Sequence, residues 1–85
     1  MKWGLVIANP AKRQLRRLFS AERHQINRAF SEMCEDPIAG DVKFLRGIEG
    51  ALRRRVGEWR ILFELDRVKK VITITAIKRR DSNTY

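Results

Sequence analysis

The sequence has one cysteine, two prolines, one histidine and no long apolar run among its 85 residues. With Cys34 alone, an internal disulfide is impossible and a metal site cannot be built from thiolates. No stretch approaches the roughly 20 apolar residues of a membrane span, and the N-terminus has no signal-peptide pattern. The length has room for a single domain, over residues 1–85. The absences predict that it lies in the cytoplasm, without a membrane, a metal or a small-molecule cofactor.

Positive charge is what the sequence has in excess. Nineteen Lys and Arg residues face ten Asp and Glu residues, which gives a formal net charge of +9 at pH 7. Most of the basic residues are arginines, whose planar guanidinium binds phosphate through two hydrogen bonds and stacks on nucleobases. The composition favours a polyanionic partner such as RNA, DNA or a ribosome. The alternative is a charge that only keeps the protein in solution.

The first part of the sequence predicts a β-strand and a short helix. Residues 2–8 alternate large apolar side chains with smaller ones, which is typical of a strand. Asn9 and Pro10 indicate a helix start, with Asn9 as the N-cap and proline at the first helical position. The helix is expected to end near Leu18. Its apolar side is predicted to comprise Leu15, Leu18 and Phe19.

A second, longer helix is predicted to follow after a very short turn. Ser20 is the expected N-cap, and Glu22 is favourably placed in the first turn. The helix should stop at Asp36-Pro37, because the residue before a proline avoids helical dihedral angles. Helical spacing predicts a buried stripe of Ile26, Ala29, Phe30, Met33 and Cys34.

The second half of the sequence changes to strand periodicity. Residues 42–45 are a short strand or an extended segment, and residues 52–56, 59–65 and 71–78 are predicted strands. Gly57-Glu58 indicates a two-residue hairpin turn. The predicted fold class is therefore α+β, in the order β-α-α-β-β-β. A helical hairpin covers one face of an antiparallel three-stranded meander, the first strand joins its edge, and the other face is open.

Alternation along these strands assigns side chains to the two faces of the sheet. The side chains expected to face the helices are Trp59, Ile61, Phe63, Ile72, Ile74 and Ala76. Their outward alternates are Arg53, Arg55, Arg60, Thr73, Thr75 and Arg79. Like charges on adjacent strands repel, so converging arginines indicate a phosphate-binding groove. A face of separate, solvated charges is the alternative.

Arg54 interrupts the alternation, because it occupies an inward position that should be apolar. Two explanations are open. Either the strand is frayed at this point, or the arginine stem runs along the edge of the core with its charged head in water.

Several ordered segments resemble the RelE/ParE superfamily of type II toxin–antitoxin systems, in its RelE-like mRNA interferase branch. They are VKFLRG at 42–47, LRRRVGEWRILFELD at 52–66 and VITITAIKRRDSNTY at 71–85, with NPAKRQLRRL at 9–18 and CEDP at 34–37. The resemblance covers essentially the whole chain. It implies a fold like that of RelE and the microbial ribonucleases, metal-free cleavage of mRNA in the ribosomal A site by 2′-hydroxyl attack, and neutralisation by a cognate antitoxin.

The resemblance also implies site residues. Those matching the catalytic set are Arg53, Arg55, Arg60, Arg79 and Tyr85, and those expected to bind mRNA or rRNA are Lys43, Arg46, Lys78 and Arg80. RelE proper carries lysines where this chain has Arg53 and Arg55. Arginine does not readily give up a proton, so the arginines are expected to stabilise charge on the transition-state phosphate. Tyr85 is either the general base or a platform on which a nucleobase stacks. His24 is expected to be an exposed helix residue.

Two other functions remain open at this point. A ParE-like inhibitor of DNA gyrase would share the fold without cutting RNA, and a basic nucleic-acid-binding relative would lack catalysis altogether. Arg79 and Tyr85, at the spacing of the nuclease branch, favour the endoribonuclease.

Overall fold

The computed structural model describes residues 2–79. These residues form an α+β fold, as predicted. Its elements are β1 (Gly4–Ile7), α1 (Asn9–Arg16), α2 (Ser20–Glu35), β2 (Val42–Phe44), β3 (Ala51–Val56), β4 (Trp59–Asp66) and β5 (Val71–Arg79). Over the same range, neither helix is long and apolar enough to cross a membrane. The predicted site residues Arg80 and Tyr85 lie outside the described residues.

The N-cap of each helix lies one residue before the predicted cap. The N-cap of α1 is Ala8, and Asn9 is already helical, so the prediction of an Asn9 cap is wrong. Phe19 takes the N-cap position of α2 that was predicted for Ser20. The Phe19 main-chain amide donates to Oε1 of Glu22 at 3.1 Å, so the acidic side chain in the first turn satisfies the amide of the N-cap residue.

The C-terminal end was predicted correctly for α2 but not for α1. α1 stops at Arg16, two residues before the predicted Leu18. Leu18 is buried, but Phe19 is 80% exposed and does not belong to the apolar side of α1. α2 ends at Glu35, immediately before Asp36-Pro37, as predicted.

The strands form one five-stranded mixed sheet in the order β1-β5-β4-β3-β2. β1 pairs in parallel with β5 at one edge, which confirms the predicted edge position of the first strand. The other pairs are antiparallel, and a two-residue turn at Gly57-Glu58 joins β3 to β4. The segment 42–44, for which a strand or an extended segment was predicted, is a strand, β2, at the opposite edge. The described sheet therefore has five strands, one more than the predicted meander of three with the first strand at its edge.

The core lies between the helices and one face of the sheet. The predicted stripe of α2 is buried, with Ile26 and Met33 at 0% exposure. Its members Ile26, Ala29, Phe30 and Met33 belong to one cluster with side chains from α1 and from the three central strands. The cluster members from those strands are Leu52, Ile61, Phe63, Ile72, Ile74 and Ile77. The opposite face of the sheet has no helix against it in the described residues and is called the open face below.

A β-bulge in β5 changes which side chains reach each face. Phe63 pairs with Ile74, but Leu62 pairs with Ala76, so Thr75 is an extra residue on β5. The Thr75 hydroxyl donates to the Leu62 carbonyl oxygen at 3.1 Å. The inward position predicted for Ala76 is therefore wrong. Ile77 takes that position and is 2% exposed.

Candidate functional site

The strand register places five basic side chains on the open face. Directly paired residues of adjacent strands project to the same side of a sheet. Lys43 pairs with Arg53, Arg55 pairs with Arg60, and Arg60 pairs with Lys78. Arg53 and Arg55 are two residues apart on β3 and so share a face. These five residues, Lys43, Arg53, Arg55, Arg60 and Lys78, are called the basic face.

Three of these cations form a continuous row across the sheet. Arg55, Arg60 and Lys78 are directly opposed on β3, β4 and β5. Like charges in direct cross-strand opposition destabilise a sheet by up to about 1 kcal/mol per pair. An anion bound over the row would remove this repulsion, and a phosphodiester chain offers anions at regular spacing.

Asp41 brings a carboxylate to the same face. Its Oδ1 lies 3.4 Å from Nη1 of Arg53, and its Oδ2 lies 3.9 Å from Nε of Arg55. Asp41 was not among the site residues predicted from the sequence. A signal was present: Asp41 and Lys43 are two residues apart at the start of a strand, which puts them on one side of an extended chain.

Arg79 is not on the basic face. It pairs with Trp59, and both residues project to the helix side of the sheet, as the pair Ile61 and Ile77 does. The bulge at Thr75 causes this, because it reverses the alternation of the last residues of β5. The Arg79 guanidinium lies 5.6 Å from the centroid of the Trp59 ring and 3.1 Å from Oε2 of Glu58. The predicted outward orientation of Arg79 is wrong, and Lys78 occupies the outward position.

Arg54 is buried on the helix side of β3. The strand is regular there, and the side chain is only 10% exposed, so neither fraying nor a solvated head describes it. Its Nη2 donates to Oε1 of Glu32 on α2. Its guanidinium also lies against Gly40, where an added Cβ would come within 3.2 Å of Cζ. Sequence reasoning missed this partner because the two residues are 22 positions apart.

The other predicted residues lie away from the row. Arg46 is exposed in the turn that follows β2. His24 is exposed on α2, as expected, where it lines a shallow depression with Ser20, Arg23 and Asn27. Within residues 2–79, no cluster of three or more His, Cys, Asp or Glu side chains is arranged to hold a metal ion.

Comparison with known proteins finds matches for this chain among solved structures. No protein-family model matches the sequence, and no curated protein matches it significantly. Among solved structures, 28 chains match. A chain of the archaeal RelE–RelB complex from Pyrococcus horikoshii OT3 has a TM-score of 0.86 and 23% identity, over 96% of this chain and 99% of that chain.

Two further RelE structures give the same result. The isolated E. coli RelE toxin has a TM-score of 0.82 and 19% identity, over 96% of this chain and 88% of that chain. A chain of the toxin–antitoxin complex RelBE2 from Mycobacterium tuberculosis has a TM-score of 0.82 and 23% identity, over 94% and 100% of the two chains. The chain therefore has the fold of the RelE toxins, which the sequence resemblance predicted.

Proposed function

We propose that this protein is the toxin of a type II toxin–antitoxin pair and that it cleaves mRNA in the ribosomal A site. The observation that carries the proposal is the row of Arg55, Arg60 and Lys78 across three strands of the open face. Opposed cations lower the stability of the free sheet and strengthen its binding to a phosphate chain. The likeness to the fold of RelE toxins supports the proposal that the basic face belongs to a toxin.

The chemistry assigned to the basic face is electrostatic. In the proposed reaction, the RNA 2′-hydroxyl loses its proton to a base and attacks the adjacent phosphorus. The 5′-oxygen leaves and takes up a proton. Negative charge grows on the phosphorane oxygens between these events, and fixed guanidinium groups stabilise that charge without reorganising. Arg53, Arg55 and Arg60 take this role, because an arginine does not act readily as a base.

Tyr85 is the proposed general base, with a stacking platform for a nucleobase as its alternative role, and it lies outside the described residues. Lys43, Arg46, Lys78 and Arg80 are proposed contacts to the RNA or rRNA backbone. The resemblance assigns Arg79 to the catalytic set as well, and to reach a phosphate over the open face its side chain has to leave Glu58 and the Trp59 ring.

A protein with so few proton-transfer groups depends on positioning. Holding the reacting groups in line lowers a barrier by roughly 7–11 kcal/mol, which the ribosome would supply by orienting the mRNA. The proposed partners are therefore the ribosome, mRNA and a cognate antitoxin, in the cytoplasm. RelE chains in similar structures are crystallised with the RelB antitoxin, which supports a partner of that kind here.

The test is induction of the protein in a bacterial host, with new 5′ ends mapped on translated and untranslated mRNAs. Arg60→Gln and Tyr85→Phe are compared with Arg67→Gln, which removes the same charge from an exposed turn at the other end of β4. New ends within codons that need translation, lost in the first two variants and kept in the third, support the proposal. Growth arrest without new ends overturns it, and DNA gyrase supercoiling then becomes the assay.

A further inference from the structure

Asp41 is an acid placed among cations that are proposed to bind RNA. Its carboxylate reaches across two side chains of β3, with Oδ1 at 3.4 Å from Arg53 Nη1 and Oδ2 at 3.9 Å from Arg55 Nε. It precedes β2, on the side of the sheet where Lys43 also projects. One carboxylate thus partly neutralises two members of the basic face.

Both contacts are longer than good charge-assisted hydrogen bonds. Guanidinium–oxyanion bonds are typically about 2.7–2.9 Å, and the strong ones use two parallel N–H groups. Asp41 makes neither the short nor the paired arrangement with Arg53 or Arg55. A phosphate has several oxygens and is not attached to the protein backbone, so it can form the short, paired hydrogen bonds to a guanidinium that Asp41 does not form.

Asp41 is the more exposed partner of its contact with Arg53. The Asp41 side chain is 49% exposed, while that of Arg53 is only 10% exposed. Arg53 Nη1 already contacts the carboxylate, so an RNA phosphate that binds this atom competes with Asp41 for it.

The main chain at Asp41 is fixed independently of its carboxylate. The Asp41 carbonyl oxygen accepts from the Arg55 main-chain amide at 2.9 Å and from Arg53 Nη1 at 3.4 Å. Replacing the carboxylate by a carboxamide of the same shape removes the charge and leaves these bonds in place. The side-chain charge can thus be tested apart from the structure of the segment.

We infer that Asp41 is an internal counter-ion of the basic face, which competes with the RNA phosphate for Arg53 and Arg55 and so limits the affinity of the free protein for RNA. The inference rests on the proposed function, since it assumes that RNA binds at this face. It makes Asp41 a residue that tunes binding, without contact to the reacting atoms.

The test measures binding of a fluorescein-labelled single-stranded RNA to the purified full chain, by fluorescence anisotropy over a range of KCl concentrations. Asp41→Asn should lower the Kd about fivefold at low salt, the scale of one exposed ion pair. The gain should shrink as salt screens the charge. The matched control is Asp66→Asn, which changes the net charge equally at the far end of β4. An asparagine there keeps the Oδ1 acceptor used by the Val68 and Lys69 amides.

A double variant separates the counter-ion role from a general charge effect. When Arg55→Gln is already present, Asp41→Asn should gain clearly less affinity, because one of the two competing contacts is gone. If Asp41→Asn gains no more than Asp66→Asn, or binds RNA more weakly than the natural sequence, the inference is overturned. If Arg55→Gln binds RNA as well as the natural sequence, the basic face is not the RNA site, and the proposed function loses its supporting observation.

Discussion

The ion pair between Arg54 and Glu32 gives the sharpest stability prediction. Arg54 is buried on the helix side of β3, and its Nη2 donates to Oε1 of Glu32 on α2. Its Nε and Nη1 are buried and have no hydrogen-bond partner in the described part of the chain. Changing Glu32→Gln keeps an oxygen acceptor at the same place but leaves a buried guanidinium without its counter-charge.

The cost follows from the exposure of the two partners. Removing one member of a fully buried pair costs about 3–5 kcal/mol, whereas an exposed pair contributes up to about 1 kcal/mol. The Arg54 side chain is 10% exposed and that of Glu32 is 54% exposed, so the pair lies between these limits. We expect Glu32→Gln to lower the free energy of unfolding by about 2 kcal/mol. For a domain of this size the corresponding fall in Tm is roughly 8–16 °C.

Urea unfolding followed by circular dichroism measures this difference. The control is Glu49→Gln, an exposed turn residue, which should change the free energy of unfolding by less than about 0.5 kcal/mol. Combining Glu32→Gln with Arg54→Met should restore most of the loss, because the buried charge that lost its partner is then absent and the half-exposed amide can be solvated. If Glu32→Gln is as stable as Glu49→Gln, the reasoning from burial is refuted.

Two further predictions concern the basic face and the segment beside it. Lys78→Gln should weaken binding of single-stranded RNA more than Arg79→Gln, because Lys78 projects from the open face and Arg79 from the helix side. Fluorescence anisotropy measures both affinities. Equal or reversed effects would contradict the strand register. Gly40→Ala should destabilise the protein more than Gly47→Ala. Both residues have positive φ, at 84° and 78°, but a Cβ at Gly40 would lie 3.2 Å from the Arg54 guanidinium, and one at Gly47 would contact nothing within 4 Å. In thermal melts, Gly40→Ala should have the lower Tm of the two variants. Its free energy of unfolding should fall by about 1–3 kcal/mol.

The features that the sequence predicted well are set by neighbours close along the chain. The buried stripe of α2 follows from helical spacing, and its end follows from the effect of Pro37 on Asp36. The hairpin at Gly57-Glu58 is equally local. The cap positions were each wrong by one residue, because Asn9 and Ser20 are both cap formers that can also occupy the first helical position. The exposure of Phe19 depends on where the chain turns between the helices.

The features that the sequence did not predict depend on distant partners. Strict alternation from Ile72 and Ile74 places Arg79 outward, and one extra residue at Thr75 reverses that assignment. The bulge lets both Ile74 and Ile77 reach the core beside Phe63 and Ile61, so packing across strands determines it. β-propensity along β5 carries no signal for it. The partner of Arg54 comes from α2 and was invisible for the same reason.

The three consecutive arginines of β3 connect these observations. Arg53 and Arg55 project to the open face and share Asp41, while Arg54 projects to the core side and pairs with Glu32. The Arg54 guanidinium also lies against Gly40, the residue immediately before Asp41. The Arg54–Glu32 pair therefore holds a guanidinium against the backbone next to the residue that carries the internal counter-ion. A loss of the Glu32 charge should then loosen the geometry of Asp41 as well as the packing of α2.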